Sequence, residues 1–358
     1  MMDAINIGAQ MGPDYQIKLD DIDITSNFRS RLMGITITDK RGMELDTFTM
    51  ELDDSDGKII LPQRGSILQI SIGWQGMALF DKGKFIIQTV THTGSPDKLA
   101  LSGFSADLSD VLKENRSESY DRMTLGEIVK RIAERNKLGA SLPNNLATPH
   151  IEHLDQTNEN DLQFLARLAM SYGAVATIKN GKVLLLIPGK GTTAKGDPLP
   201  EATIRRRDGD AHSFSYTGDM NNIGVKARWL RLDKANSGRV LVRAELDPPG
   251  TIFETAGSRY LELGTLFTTE EEAVNAATAE WKKNQRMSAT LSFGLAMGRP
   301  ELTPEMLIEV SGFKELIDKH KWIISSVAHT INSGGGFTSK VELEIVLKDS
   351  VVAKKELD

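Results

Sequence analysis

Through the first third of the chain, apolar residues fall at alternate positions: Ile17 and Leu19, Ile22 and Ile24, Ile35 and Ile37, Phe48, Met50 and Leu52, then Ile70 and Ile72. A period of two is what a strand with one buried face requires. The breaks carry turn chemistry, as in Asp20-Asp21, Arg41-Gly42, Asp56-Gly57, Arg64-Gly65 and Lys82-Gly83, spaced for an antiparallel meander. Residues 1–110 are expected to form an all-β barrel or sandwich. Asp53, Asp54 and Asp56 before Gly57 lack the full ligand series and closing Glu of a calcium loop, so they read as a solvated acidic turn.

At Tyr120 the period lengthens to nearly four. Thr124 to Glu127 is a capping box, and the helix it opens places Leu125, Ile128, Val129 and Ile132 on one face before closing ahead of Gly139. A second helix is expected from Thr157 or Asn158, carrying Leu162, Leu165, Ala166 and Ala169 until Gly173 stops it. The segment between the two helices, with His150 and His153, reads as a loop. Ala174 to Ile178 and Val183 to Ile187 flank Lys179-Asn180-Gly181-Lys182, a hairpin signal. Residues 111–203 thus form an α/β middle domain of two helices and a hairpin, with Gly189 to Pro200 as exit linker.

Strand patterning resumes from Ile204, through Ser213 to Tyr216, Ile223 to Leu232 and Val240 to Ala244. One helix, Thr268 to Met287, interrupts it, with Glu270, Glu271 and Glu272 in its first turn and Lys282, Lys283 and Arg286 in its last, as the helix dipole favours. Gly334-Gly335-Gly336 then turns the chain into Val341, Leu343, Ile345 and Leu347. Residues 204–358 read as a second β-barrel with a helical insertion at about 268–287.

A repeat links the two β-rich blocks. Leu79 to Thr93, LFDKGKFIIQTVTHT, matches Leu316 to Thr330, LIDKHKWIISSVAHT, at nine of fifteen positions without a gap. Lys84, Ile86, Val90 and His92 recur as Lys321, Ile323, Val327 and His329, and Phe85 becomes Trp322. Convergent β-formers account for the Ile and Val matches but not for Asp-Lys-x-Lys or His-Thr. The fold expected is mainly β: two similar antiparallel barrels from an internal duplication, with a two-helix and hairpin domain between them.

Length changes this picture little, since 358 residues suit two or three domains. The chain has no cysteine, which removes disulfides and thiolate chemistry, and a net charge of −6 argues against a high-affinity nucleic-acid binder. No apolar run of about 18 residues is present to span a bilayer, and no secretion signal is evident at the N-terminus. Candidate chemistry is sparse. There is no G-x-S-x-G elbow, phosphate loop, H-E-x-x-H zinc helix or dinucleotide fingerprint. Gly189-Lys190-Gly191-Thr192 lacks the first glycine of a phosphate loop. His150 and His153 lack a third metal ligand and read as surface imidazoles. His92 and His329, in equivalent places, read as structural. No catalytic residue, metal or cofactor is expected.

One segment carries a resemblance. Asp155, Gln156, Glu159, Asp161, Phe164, Leu165, Arg167 and Leu168, followed by Ala169, form D-Q-x-x-E-x-D-x-x-F-L-x-R-L-A, which resembles the signature of phage late control gene D proteins, the baseplate hub proteins of contractile-tailed phages. Leu61-Pro62-Gln63-Arg64-Gly65, Gly298-Arg299-Pro300-Glu301-Leu302 and Gly335-Gly336-Phe337-Thr338 sit where that family has similar residues. The resemblance implies a homotrimeric ring of two barrels per chain, adapting a sixfold tail tube to a threefold spike. It implies as partners further copies of the chain, a tail spike protein, and tail tube and baseplate proteins. DNA would pass through without specific binding, and no membrane segment is involved. The location implied is the virion tail, assembled in the host bacterial cytoplasm. The type VI secretion spike protein, a relative, fuses hub and spike. This chain stops at Asp358, soon after the second barrel, so its spike is expected to be a separate protein. The net charge suggests a negatively charged lumen past which DNA slides. Thr124 to Leu138 also resembles the start of a LysM motif, so the alternative class is a glycan-binding or cell-wall-degrading tail component.

Overall fold

The computed structural model describes residues 12–106, 114–179, 181–216, 223–230, 237–244, 259–267, 269–334, 336–346 and 352–357. Asn180, Leu232, Thr268, Gly335 and Leu347, which belong to motifs read above, lie outside them, as do the boundary residues 110 and 111.

The first strand unit contains β1 (Pro13–Leu19), β2 (Ile22–Asp23), the one-turn helix α1 (Thr25–Phe28), β3 (Leu32–Lys40), β4 (Thr47–Asp53), β5 (Ile67–Trp74), β6 (Phe80–Thr93) and β7 (Lys98–Ser105). Hydrogen bonding runs in the order β2-β1-β5-β6-β7-β4-β3. The alternation read from the sequence is the burial pattern, with Ile17, Ile35, Ile37, Phe48, Met50 and Leu52 all buried in one core. Because β1 and β3 lie near opposite ends of the pairing order yet share that core, the sheet curls around it.

The middle unit comprises β8 (Asn115–Thr124), α2 (Leu125–Arg135), β9 (Gly139–Ser141), α3 (Asn144–Ala147), β10 (His150–Asn160), α4 (Asp161–Ser171), β11 (Val175–Lys179) and β12 (Lys182–Leu186). Thr124 and Glu127 close the predicted capping box, and Leu125, Ile128, Val129 and Ile132 are buried beneath it. The hairpin is β11–β12, with Lys179 opposite Lys182. Two expectations change. The segment between the helices is no loop, because β10 pairs antiparallel with β8 as a long two-stranded ribbon. Helix α4 starts later than expected, at Asp161. Asn158 adopts a left-handed φ of 48° beside a bulge, which breaks the helical path, and Asn160 is the true cap, accepting from the Gln163 N–H at 2.9 Å.

The second strand unit contains β13 (Ala202–Arg205) and β14 (Gly209–Tyr216). An insertion follows, with β15 (Ile223–Leu230), β16 (Ser237–Ala244), β17 (Arg259–Phe267) and α5 (Glu270–Arg286). The unit resumes with β18 (Ala289–Leu295), β19 (Leu307–Ser311), the one-turn helix α6 (Glu315–Asp318), β20 (Lys321–Asn332) and β21 (Gly336–Ile345). The last described strand is β22 (Val352–Leu357). Alternation along the sequence predicts Ile223 to Leu232 and Val240 to Ala244 in the barrel, with only a helix inserted. Instead these strands form a separate sheet, β17-β15-β16-β22, with α5 packed on it around Val225, Ala227, Trp229, Ala273, Ala277 and Trp281. A helix with an apolar stripe needs a sheet face of its own to cover, and a period of two does not say to which sheet a strand belongs.

With the insertion set aside, the second unit runs β13-β19-β20-β21-β18-β14, the order of β1-β5-β6-β7-β4-β3 rank for rank. The registers agree too. Phe85 opposes Leu68 as Trp322 opposes Ile308, Val90 opposes Leu101 as Val327 opposes Val341, and Ile37 opposes Phe48 as Phe214 opposes Leu291. Both long strands bulge at the same place, between Ile87 and Thr89 and between Ile324 and Ser326. Just before it, Gly65 and Ser66 exchange backbone bonds with Ile87, as Glu305 and Met306 do with Ile324. Two differences stand out. β1 is antiparallel to β5 whereas β13 is parallel to β19. Asp81 and Lys82 lie within β6, whereas Asp318 ends α6 and caps the turn before it, accepting from the Gly312 and Phe313 N–H groups.

Candidate functional site

The family-like signature folds into a clamp inside the middle unit. Asp161, fully buried at the start of α4, accepts from Arg135 Nε at 2.9 Å, Asn136 Nδ2 at 2.7 Å and Gln156 Nε2 at 2.9 Å. Burial alone would raise its pKa, but these donors outweigh burial and hold it below the ordinary carboxylate value. Gln156 in turn accepts from Arg135 and from the Tyr120 hydroxyl, and Arg135 also pairs with Glu118. Phe164 stacks on Tyr120 at 5.3 Å between ring centres, next to buried Leu165 and Leu168. Nearer the surface, Arg167 covers the Phe164 ring, pairs with Glu159 at 2.6 Å and donates to the Asp155 carbonyl, while Ser119 holds the Asp155 carboxylate. These contacts fasten α2 and α4 to the β8–β10 ribbon, while Asn136 Oδ1, buried beside them, accepts no hydrogen bond. Arg135, Glu118, Tyr120 and Asn136 were not singled out from the sequence, because they lie far from the motif along the chain.

Of the repeated strands, β20 lies where the two strand units meet, while β6 pairs with β5 and β7 and touches the second unit through Lys82. In both, the aromatic ring and the second Ile are buried: Phe85 and Ile87, Trp322 and Ile324. Ile323, Val327 and His329 are buried as well, whereas Ile86 and Val90 are half-buried and Lys84, His92 and Lys321 are exposed. The cause is β3, which pairs antiparallel with Ser326–Asn332 of β20 and so joins both units into one continuous sheet. Polar groups pin this seam. His329, 1 % exposed, directs Nε2 to the Leu302 carbonyl at 3.3 Å, so Nε2 carries the proton and Nδ1 accepts from the Ser339 hydroxyl at 2.8 Å. Burial, with Lys82 nearby, keeps its pKa well below the usual histidine value and the ring neutral. Lys82, itself lowered by burial against the pull of Asp39, reaches Asp39 and the Leu302 carbonyl at 3.4 Å each. Arg41, at the end of β3, pairs with Glu305 and Glu344 of the second unit. Trp74 Nε1 donates to the Gly298 carbonyl at 2.9 Å and its ring packs on Phe337. His92, by contrast, lies 3.3 Å from Asp54 on the surface.

The outer face of this joined sheet is the feature most open to a functional role. Residues opposite one another in register share a face. Starting from Thr36 and Thr330, whose hydroxyls are 3.1 Å apart, the face runs outward through Thr49 and Ser102 on one side and Thr338 on the other. Thr38, Thr47, Thr89, Thr91, Ser326, Ser292 and Ser213 lie on the same side. None of these residues is buried. Charges of both signs are interspersed, with Glu51, Asp53 and Glu342 against Lys98 and Lys340. The result is a hydroxyl-lined wall, near charge balance, that crosses the seam unbroken.

The remaining candidates are structural or solvated. Asp56 forms a bidentate pair with Arg31, and Gly57 closes the turn on the Asp54 carbonyl. His150 and His153 project from β10 into solvent; hydrogen bonds donated to Asp121 and then Asp155 raise the His153 pKa. Among the described residues, no group of three or more His, Asp or Glu could hold a metal. No helix among them is long and apolar enough to cross a membrane. The Thr124–Leu138 segment, which resembles a LysM start, turns its apolar face into the core of the middle unit.

Comparison with known proteins places these features in context. Residues 83–335 match the family described as phage tail baseplate hub (GPD). A protein of Escherichia phage 186, named "Probable baseplate hub protein", is 40 % identical over 96 % of this chain and 96 % of its own. Its namesake in Escherichia phage P2 is 39 % identical over 98 % of each chain. Among solved structures, a tail protein from Neisseria meningitidis MC58 shares the fold, with a TM-score of 0.68 at 14 % identity over 94 % of this chain and 97 % of that one.

Proposed function

The chain belongs to the phage tail baseplate hub (GPD) family, and from that premise we propose that three copies form a ring whose six strand units join a sixfold tail tube to a threefold central spike. The observation that carries this reading is the pair of strand units with one order and one register, joined at a seam that continues a single outer face. Three chains with two such units each present six similar surfaces, so a ring with true threefold symmetry meets a sixfold partner without mismatch.

The hydroxyl wall would line the central channel. A wall of Ser and Thr with balanced charges gives DNA no array of cations for which to exchange its counterions, so the duplex slides rather than sticks. This refines the acidic lumen suggested by net charge alone. The domains are taken as 1–110, 111–203 and 204–358, the middle one a rigid spacer on the outside of the ring. Partners are further copies of the chain, a tail spike protein, and the tube and baseplate proteins of a virion tail assembled in the host cytoplasm. No catalysis is assigned. The test is native mass together with electron microscopy of the purified chain: three times the chain mass and a ring of six similar lobes are expected. A monomer at all concentrations that stays monomeric beside its spike would refute the adaptor.

A further inference from the structure

Within one chain, β20 shares a single edge between two neighbours. Its first residues pair with β19, up to Ile323 opposite Leu307, and Ser326–Asn332 pair with β3. The register match assigns a counterpart to each strand of this seam: β6 for β20, β5 for β19 and β14 for β3. On β6, pairing with β5 ends at Ile86 opposite Ile67, and among the described residues no strand occupies the same edge along Thr89–Thr93. Thr89, Thr91, His92 and Thr93 are exposed there, whereas under β3 their counterparts Ser326, Ala328 and Thr330 are half-buried and His329 is 1 % exposed. β14, the counterpart of β3, ends the sheet. Among the described residues it pairs with β18 alone, which leaves the other edge of Ala211–Ser215 without a strand.

Resting on the ring reading, we propose that β14 of one copy adds antiparallel to Thr89–Thr93 of β6 in the next, in the register of the in-chain seam. In that seam Ala328 opposes Thr38, His329 opposes Ile37 and Thr330 opposes Thr36. Carried over, Thr91 lies opposite Ser215, His92 opposite Phe214 and Thr93 opposite Ser213. The chemistry fits at each level. Two open edges satisfy one another's backbone donors and acceptors. Thr91, Thr93, Ser213 and Ser215 extend the hydroxyl wall from one copy to the next. Phe214 covers the exposed His92 as Ile37 covers His329.

The two kinds of joint are not identical. Glu305, which holds Arg41 across the in-chain seam, has Gly65 as its counterpart; both have left-handed backbone, φ 71° and 91°. The joint between copies thus lacks the ion pair that fastens the units within a chain, and is the one that opens first when the ring comes apart.

The chain contains no cysteine, so a pair introduced at two exposed sites reports on this contact alone. Facing residues on antiparallel strands have Cα atoms about 4.5–5.5 Å apart, and disulfides span about 4.4–6.8 Å. The full chain with Thr91→Cys and Ser215→Cys is oxidised mildly and compared with Thr91→Cys plus Ser213→Cys, shifted by two residues. Native mass is recorded before oxidation. Covalent dimers and trimers from the first pair, at least tenfold more than from the second, support the joint. Trimers that crosslink with neither pair, or equally with both, overturn the joint and leave the ring standing. A chain that stays monomeric overturns both.

Discussion

At the scale of single residues, Asp161 shows how a sequence signature becomes a support. Its carboxylate is fully buried and answers Arg135, so Asp161→Ala leaves a partly buried guanidinium without its main partner. The expected loss is about 3–5 kcal/mol of unfolding free energy, read from denaturant titration. Arg167→Ala, which breaks a pair that is nearly half exposed, is expected to cost under about 1 kcal/mol. Near-equal losses would contradict the clamp. His329 adds a pH dependence with a definite sign. Its folded pKa is depressed, so it costs nothing above the unfolded value of about 6.5. As pH falls below that value the unfolded chain takes up a proton that the folded chain refuses, and stability declines by up to about 1.4 kcal/mol per pH unit until the folded ring itself titrates. Urea midpoints between pH 7.5 and 5.5 should fall more steeply for the native chain than for His329→Gln. The letters of the signature and of the repeat were legible in the sequence. What they touch was not, because Arg135, Glu118, Asp39 and Leu302 reach them only through tertiary packing. The seam divides His92 from His329, alike in local sequence, into a surface ring and a buried one.

Elements were legible wherever local chemistry decides them. The capping box at Thr124 and the hairpin around Gly181 sit where residue types alone put them. Helix α4 was misplaced because apolar spacing does not reveal that Asn158 leaves the helical region and Asn160 takes the cap. The inserted sheet was misassigned because alternation marks a strand and not its neighbours. The hydroxyl wall was present in the sequence all along: the apolar half of each alternation was read for a core, and the Ser and Thr half carried the face. Glu305 offers a test at this scale. A non-glycine residue with φ 71° is strained by about 1–2 kcal/mol, a strain tolerated here for the Arg41 contact. Glu305→Gly removes both the strain and the pair, whereas Glu305→Ala removes the pair and keeps the strain. Thermal melts should therefore rank Gly above Ala by about 1 kcal/mol; the opposite order would mean that the backbone is at ease there.

For the whole molecule, the proposed ring requires a channel wall without a charge preference. Thr36→Lys with Thr330→Lys places two cations at the centre of the seam face, where the native hydroxyls are 3.1 Å apart. Particles carrying this hub are expected to assemble and package normally but to deliver several-fold less DNA, with the deficit shrinking as salt rises. Normal delivery would place the wall away from the DNA path. The seam has a consequence in time as well as in space. Thr36 and Thr330, which it brings together, are 294 residues apart along the chain. A ribosome adding about 5–20 residues each second therefore completes the first strand unit many seconds before β20 emerges to cover β3. For that interval the nascent chain carries a bare strand edge of nine residues, Leu32–Lys40, on a core that still lacks Ile331 and Phe337. That edge is where a chaperone has most to protect, and where two unfinished chains on neighbouring ribosomes meet first.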